Sequence, residues 1–276
     1  MSASPTERTD SWTVLETPER VATAVRKLER MGRTEAERSA RRRCLDRLAP
    51  RPGEKIVDVG AGTGAITLDI AARLRPGGQV VAVDPSAALL DHARGAAGAA
   101  GLGDVFEAKV GDGRALPFAD RSFDAAFCHW VLLHVDPAAT VIRELKRVTR
   151  PGGRVMCVEM DWETAIVHPG ERALTRRILN FSNDRHVEGW SGRRLTSLFK
   201  ECGLIDVAVE AIVDVDQSGD AVWLEFITER AQHAVQGGVV TDAEASAWTK
   251  AIEAAAVGDR YFFAITQFAV LGRVPA

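Results

Sequence analysis

The stretch Val57–Ala71, VDVGAGTGAITLDIA, decides the fold. It reads as an apolar strand, a loop with glycine at the alternate positions Gly60, Gly62 and Gly64, and then a helical pattern. An apolar run that ends in glycine and passes directly into a helix is the opening of a βαβ unit. Glycine removes side chains where ligand and backbone must approach closely, and it permits positive φ. Asp58 places an acid two residues before that loop.

The same alternation continues outward. Two helical segments, Pro18–Met31 and Thr34–Leu48, come before it, and Ala49–Gly53 breaks the chain. After the helix Ala65–Leu74 the spacing predicts strands at Gln79–Val83, Val105–Val110, Ser122–His129 and Arg154–Glu159. Helices at Ala87–Ala100 and Pro137–Val148 separate them. Strands alternating with helices through short turns imply right-handed crossovers and a mostly parallel sheet covered on both faces. In the last third, a helix over Arg193–Cys202 leads to strands at Asp206–Val213 and within Tyr261–Val274. Between those strands lie helical stretches at Asp220–Val235 and Asp242–Ala255.

The 276 residues, 46% of them apolar, suffice for one large α/β domain with insertions. No stretch reaches the length of a membrane span, and Met1–Asp10 is polar without the apolar centre of a secretory signal, so a cytoplasmic location and no membrane partner are expected. The four cysteines are far apart and form no Cys-x-x-Cys, which argues against a zinc site or a disulfide framework. A net charge of −3 gives no general attraction to nucleic acid.

In an open parallel sheet, ligands bind beyond the carboxyl ends of the strands. Each loop there carries a suggestive residue. The first strand leads to Asp58 and the glycine loop. An acid beside the loop attracts a cationic amine and repels a phosphate. The second ends at Asp84-Pro85, where a carboxylate can accept hydrogen bonds from both hydroxyls of a ribose. The third leads to Gly111-Asp112-Gly113, where an acid can accept from an exocyclic amine and the glycines let a base edge lie against backbone. A dinucleotide fold also places glycines after its first strand, so Gly60–Ala65 alone is ambiguous.

Taken together these segments resemble the class I S-adenosylmethionine-dependent methyltransferases, in particular the group that includes ubiquinone and menaquinone biosynthesis enzymes and bacterial natural-product methyltransferases. The matching motifs are Val57–Gly64, Val81–Asp84, Gly111–Asp124 with its Leu-Pro-Phe and Phe-Asp, and Leu145–Gly153. The resemblance implies a Rossmann-like α/β fold, with a seven-stranded, mostly parallel sheet, an antiparallel last strand and a helical lid. It divides the chain into an N-terminal helical cap (1–49), a cofactor-binding core (50–160) and an acceptor-side region (161–276) with an insertion near 215–260. It further implies S-adenosylmethionine as cofactor, with Gly60, Ala61, Gly62 and Gly64 passing its methionine part. Asp58 would hold the amine, Asp84 with Pro85 the ribose, Asp112 with Gly113 the adenine, and Cys128 and His129 would line the methionyl side.

Methyl transfer is an in-line displacement, and a base is needed only where the acceptor carries a proton. His129, Asp161 and His186 are the candidate catalytic residues, with His134 and Glu163 as further candidates. Glu159 and Asp161 form an acid cluster that can bind an acceptor hydroxyl or amine; no histidine lies at ligand spacing beside them, so no metal is assigned. Trp130, Trp162, Trp190, Trp223, Phe226, Phe181 and Phe263 are candidates for the wall of an apolar pocket, and Trp12 for the N-terminal cover. A lid of the N-terminal helices, 164–190 and 215–260 suits a small, partly apolar acceptor; its alternative use is a plain helical layer or a homodimer surface. Two rival functions remain at this level: a cofactor-binding partner or regulator without methyl transfer, and a nicotinamide-dependent oxidoreductase.

Overall fold

The computed structural model describes residues 17–185, 187–219 and 221–276. Seven strands form one sheet in the order β3-β2-β1-β4-β5-β7-β6. They are β1 (Lys55–Val59), β2 (Gln79–Asp84), β3 (Phe106–Val110), β4 (Phe123–His129), β5 (Thr149–His168), β6 (Ile205–Asp216) and β7 (Phe262–Arg273). The pairs β1–β2, β2–β3, β1–β4 and β4–β5 are parallel, whereas β7 runs antiparallel to both of its neighbours. This is the Rossmann-like sheet with an antiparallel last strand that the sequence implies. The order reverses at β1, where chains leave β1 and β4 in opposite lateral directions and a crevice opens.

Alternation along β1 explains its all-apolar look. Val57 and Val59 face one layer, together with Leu145 of α5 (Ala139–Val148) and Leu195 and Phe199 of α7 (Ser191–Glu201). Ile56 faces the other, against Leu48 of α2 (Glu35–Leu48) and Ile70 of α3 (Ala65–Leu74). A strand covered on both faces needs no polar side, so periodicity disappears. Asp58 is the exception in that strand and is buried.

The structure departs from the sequence expectation at β5. The strand was expected to end at Glu159, yet it runs to His168 because β7 continues to pair with it, Ile166 opposite Ala264 and His168 opposite Phe262. Glu159 and Asp161 therefore lie inside a strand rather than in a loop after it. The extended ends of β5 and β7 carry a third apolar cluster. Ile178 of α6 (Arg172–Asp184), Trp223, Ile227 and Ala231 of α8 (Ala221–Gln236), and Trp248 and Ile252 of α9 (Asp242–Val257) pack on Met160, Trp162, Phe263 and Ile265. Each apolar side chain removed from water there contributes about 1.5–3 kcal/mol, enough to fix helices with few local signals. Trp248 also donates from Nε1 to Thr175 Oγ1 at 2.9 Å, which ties α9 to α6. The first helix, α1 (Pro18–Arg33), starts at a Thr17 cap and lies against α2, α4 (Ala87–Ala99) and α8.

Candidate active site

The loop after β1 is folded onto the end of β2. The amides of Gly60 and Ala61 both donate to Val83 O, at 2.8 and 3.0 Å. Gly60, Gly62 and Gly64 all have positive φ, at 75°, 53° and 84°. A Cβ on Gly60 would stand 2.1 Å from Val131 Cγ2, so both conformation and contact demand glycine there. One on Gly62 would meet Leu28 Cδ1 at 3.3 Å, which shows α1 lying over this loop.

Three acids surround the loop. Asp58 Oδ2 accepts from Thr67 Oγ1 of α3 at 2.5 Å, and burial raises its pKa to about 7. Asp84 Oδ2 accepts from the Gly62 amide at 3.0 Å, and Oδ1 from the Ser86 amide at 2.9 Å. Burial pushes this carboxyl up as well, against those two hydrogen bonds. Pro85 carries the chain between Asp84 and Ser86, the N-cap of α4. Asp112 is exposed and differs from the other two: Arg114 holds both of its oxygens, the closest contact being Nη2 to Oδ2 at 2.6 Å, and keeps its pKa low. Sequence reasoning did not single out Arg114. A Cβ on Gly113 would lie 2.9 Å from Val59 Cγ1, so the Asp112 turn is seated directly against the end of β1.

Beyond β4 the chain makes a tight, anchored turn. Cys128 is buried opposite Cys157, whose hydrogen-bonding thiol, together with burial, keeps the Cys128 thiol protonated. His129 is held neutral, because burial lowers its pKa to about 3; its Nε2 lies 3.5 Å from Gln267 Oε1. Its ring stacks on Trp130 with centroids 4.4 Å apart. Trp130 has φ of 56°, an unusual value for a bulky residue, and its buried Nε1–H has no hydrogen-bond partner. The next turn, Leu132–His134, is a single 3-10 turn held by Glu159. Glu159 Oε1 accepts the Val131 and Leu132 amides at 2.8 and 2.7 Å, and Oε2 lies 3.4 Å from the Leu133 amide and 3.2 Å from Ser191 Oγ. The acid expected to meet an acceptor thus serves as a buried anchor for the backbone after β4.

Asp161 is committed in a similar way. Its Oδ2 and Oδ1 receive Arg193 Nε and Nη2 at 2.5 and 2.6 Å, while Arg193 Nη1 reaches Glu163 at 2.9 Å. Trp190 Nε1 also donates to Glu163, at 2.6 Å. This bidentate pair fastens α7 to β5. Asp161 lies three residues beyond Val158, the strand partner of His129. His186 and Trp12 lie outside the described residues. Among the described residues, no group of three or more His, Cys, Asp or Glu side chains is arranged to hold a metal ion, and no helix is long and apolar enough to cross a membrane.

The crevice is roofed from two directions. From one side comes α1. From the other come α6, α8 and α9, with the rings of Trp162, Trp223, Phe226 and Phe263 within 4.8–6.1 Å of one another along the chain of contacts. Arg30 of α1 bonds Glu225 of α8 at 3.0 Å, and Lys27 lies 3.6 Å from the same carboxylate, so the two halves of the roof are joined.

Residues 57–157 match the family model described as a methyltransferase domain. The chain is 31% identical over 251 residues to a 37.1 kDa protein in transposon Tn4556 of Streptomyces fradiae, spanning 89% of this chain and 70% of that one. It is 38% identical over 185 residues to the demethylmenaquinone methyltransferase of Symbiobacterium thermophilum, spanning 59% of this chain and 73% of the relative. Among solved structures, the fold matches phosphoethanolamine N-methyltransferase 2 of Haemonchus contortus in complex with S-adenosylmethionine. The TM-score is 0.61 at 17% identity, over 97% of this chain and 60% of that one. It also matches the YcgJ protein of Bacillus subtilis, with a TM-score of 0.61 at 16% identity over 87% and 99%.

The chain belongs to the class I S-adenosylmethionine-dependent methyltransferases, and its cofactor is S-adenosylmethionine. Its residues suit that cofactor. A buried carboxylate with little compensating charge, Asp58, stands beside a loop stripped of side chains, and a second acid, Asp84, stands at the next strand end. Asp58 favours a cationic amine over a phosphate, an acid at the place of Asp84 suits the ribose of either ligand, and the family match removes the nicotinamide alternative.

Proposed function

We propose that the protein methylates a small, partly apolar organic acceptor bound beneath its helical roof. Bound S-adenosylmethionine supplies an activated methyl group for in-line displacement. The chain's own residues hold, orient and exclude water. Asp58 receives the cofactor's amine, Gly60, Ala61, Gly62 and Gly64 border its methionine part, Asp84 with Pro85 receives the ribose, and Asp112 with Gly113 receives the adenine edge. Cys128 and His129 border the methionyl side through backbone and a neutral ring.

The three expected catalytic residues take different parts in this reading. His129, held neutral by burial, is a wall and hydrogen-bond partner across the working pH range rather than a strong base. Asp161 positions α7 through Arg193. His186, outside the described residues, keeps its proposed place as a base for acceptors that carry a proton. Alignment and dehydration then carry most of the rate. The division into a cap (1–49), a cofactor core (50–160) and an acceptor side (161–276), in a cytoplasmic enzyme, belongs to the same proposal.

The observation that carries the reading is the aromatic cluster in which Trp162 and Phe263, on the extensions of β5 and β7, meet Trp223 and Phe226 of α8. These rings wall the space next to the strand ends where the methyl donor binds. The test is incubation with labelled S-adenosylmethionine and a panel of phenols, amines and enolisable ketones, with methylated product read by mass spectrometry. Transfer to one class of small acceptor supports the reading; transfer only to protein or nucleic acid overturns it.

A further inference from the structure

One charged side chain in the roof has no carboxylate partner among the described residues. Arg230 of α8 is 6% exposed and sits among apolar residues. Its guanidinium lies 4.0 Å from the centre of the Trp162 ring and 5.8 Å from that of Phe226. One hydrogen bond is recorded for it, from Nη1 to Phe226 O in the preceding turn of its own helix, at 2.8 Å. It forms no ion pair with a carboxylate among the described residues; Glu229, its neighbour in sequence, is paired with Lys27. A guanidinium has five N–H donors, so most of this one is uncommitted. The sealed, unpartnered polar atoms of the described residues include Trp130 Nε1 but none of Arg230.

The surroundings add to the imbalance. Burial lowers the pKa of His233, one turn further along α8, and the charges of Arg185, Arg230 and Lys27 add to that against Glu229. Burying an unpaired cation is unfavourable unless something offsets it, and part of the loss is recovered when an anion binds. Stacking on an indole holds the guanidinium plane still while leaving its edge free, the geometry that suits a two-pronged contact with an oxyanion. Trp162, which carries that guanidinium, belongs to the same cluster as Trp130 and Leu133, the residues that follow β4.

We propose that Arg230 is the specificity residue for an oxyanion on the acceptor, a carboxylate or phosphate on a partly apolar body. The apolar part meets Trp162, Trp223 and Phe226, and the oxyanion meets Arg230. The inference rests on the acceptor space argued above and names the chemistry of what enters it. It also accounts for a charge that a purely apolar acceptor would leave stranded.

The test uses the full-length protein saturated with S-adenosylhomocysteine and three probes matched in shape: 2-naphthoate, 2-naphthyl phosphate and 2-naphthamide. Binding is read by calorimetry in the wild type, Arg230→Met and Arg230→Lys. At least one anion should bind the wild type about tenfold or more tightly than the amide. Which anion wins distinguishes a carboxylate from a phosphate acceptor. Arg230→Met should erase that preference, Arg230→Lys should restore part of it, and S-adenosylhomocysteine affinity should stay unchanged in both variants. An amide that binds the wild type as tightly as both anions, or an anion preference that survives in Arg230→Met, overturns the oxyanion site and leaves small-molecule methylation standing. Failure of all three probes to bind overturns the acceptor space, and this site with it.

Discussion

Asp84 Oδ2 accepts the amide hydrogen of Gly62 at 3.0 Å, so the acid at the end of β2 also fastens the glycine loop that follows β1. One carboxylate thus shapes the loop and, in the proposed reading, would also face the nucleoside. Asp84→Ala should remove both contributions and weaken S-adenosylhomocysteine binding by about 1–3 kcal/mol. Asp84→Asn, which keeps one acceptor oxygen, should lose less. Calorimetric titration of the two variants checks the order; equal affinities for wild type and Asp84→Ala would remove this acid from the site.

With Asp58 in its proposed place beside the amine, cofactor affinity should depend on pH. Burial raises its pKa to about 7 without ligand, so near neutrality it is partly protonated. The cofactor's ammonium gains from the ionised form alone. Binding should therefore pull the carboxyl pKa down and release a proton, and affinity should fall as pH drops below about 7. Titrations at about pH 6 and about pH 8 should differ in the wild type and agree in Asp58→Asn. A pH dependence that persists in Asp58→Asn counts against the assignment.

Glu159 is the anchor of the turn after β4. Glu159→Ala leaves amides of Val131, Leu132 and Leu133 without their acceptor and should cost about 2–4 kcal/mol in urea unfolding, given about 1–3 kcal/mol for a buried donor left unpaired. Burial raises its carboxyl to about 7, above the ordinary value of 4.5. The folded state then holds a proton that the unfolded chain releases earlier. The sign follows: this contribution to stability is complete below the ordinary value and is lost as pH rises through about 7. The slope of stability against pH should be shallower in Glu159→Gln; an unchanged slope would assign the effect elsewhere.

His129 should leave no mark on the pH–rate profile between about pH 5 and about pH 9, because its pKa of about 3 keeps it neutral throughout. An inflection near the ordinary histidine value that disappears in His129→Asn would restore it as the base.

Gly60 and Val131 should couple. Gly60→Ala meets two obstacles, φ of 75° and a methyl placed 2.1 Å from Val131 Cγ2. Val131→Ala removes the second obstacle only. Gly60→Ala should destabilise by about 2 kcal/mol or more, and Gly60→Ala/Val131→Ala should recover part of that, a non-additivity typical of touching residues. Strict additivity of the unfolding free energies would refute the contact.

The alternating core was legible from the chain because its signals are local. Val57–Ala71 carries strand, loop and helix cues in one short run, and the turns that separate the later strands and helices are short. The acids at strand ends were also legible, since topology alone brings them to one edge. What escaped depends on partners far along the chain. The extension of β5 past Glu159 needs β7, about a hundred residues away, and the task of Glu159 needs backbone amides from 131–133. Asp161 looked free because Arg193 meets it only once α7 docks on β5. Arg230 was not singled out in the sequence, because its contact with Trp162 exists only once α8 packs on β5.

The ion pairs from Lys27 and Arg30 to Glu225 bind helices drawn from opposite ends of the chain. Neither can swing out alone without parting those charges. With the nucleoside under α1 and the acceptor under α8, as proposed, release of either would part these same charges, so the two would share one exit. Raising ionic strength loosens such half-exposed pairs, so turnover limited by that shared exit quickens in salt while chemistry at the methyl group does not.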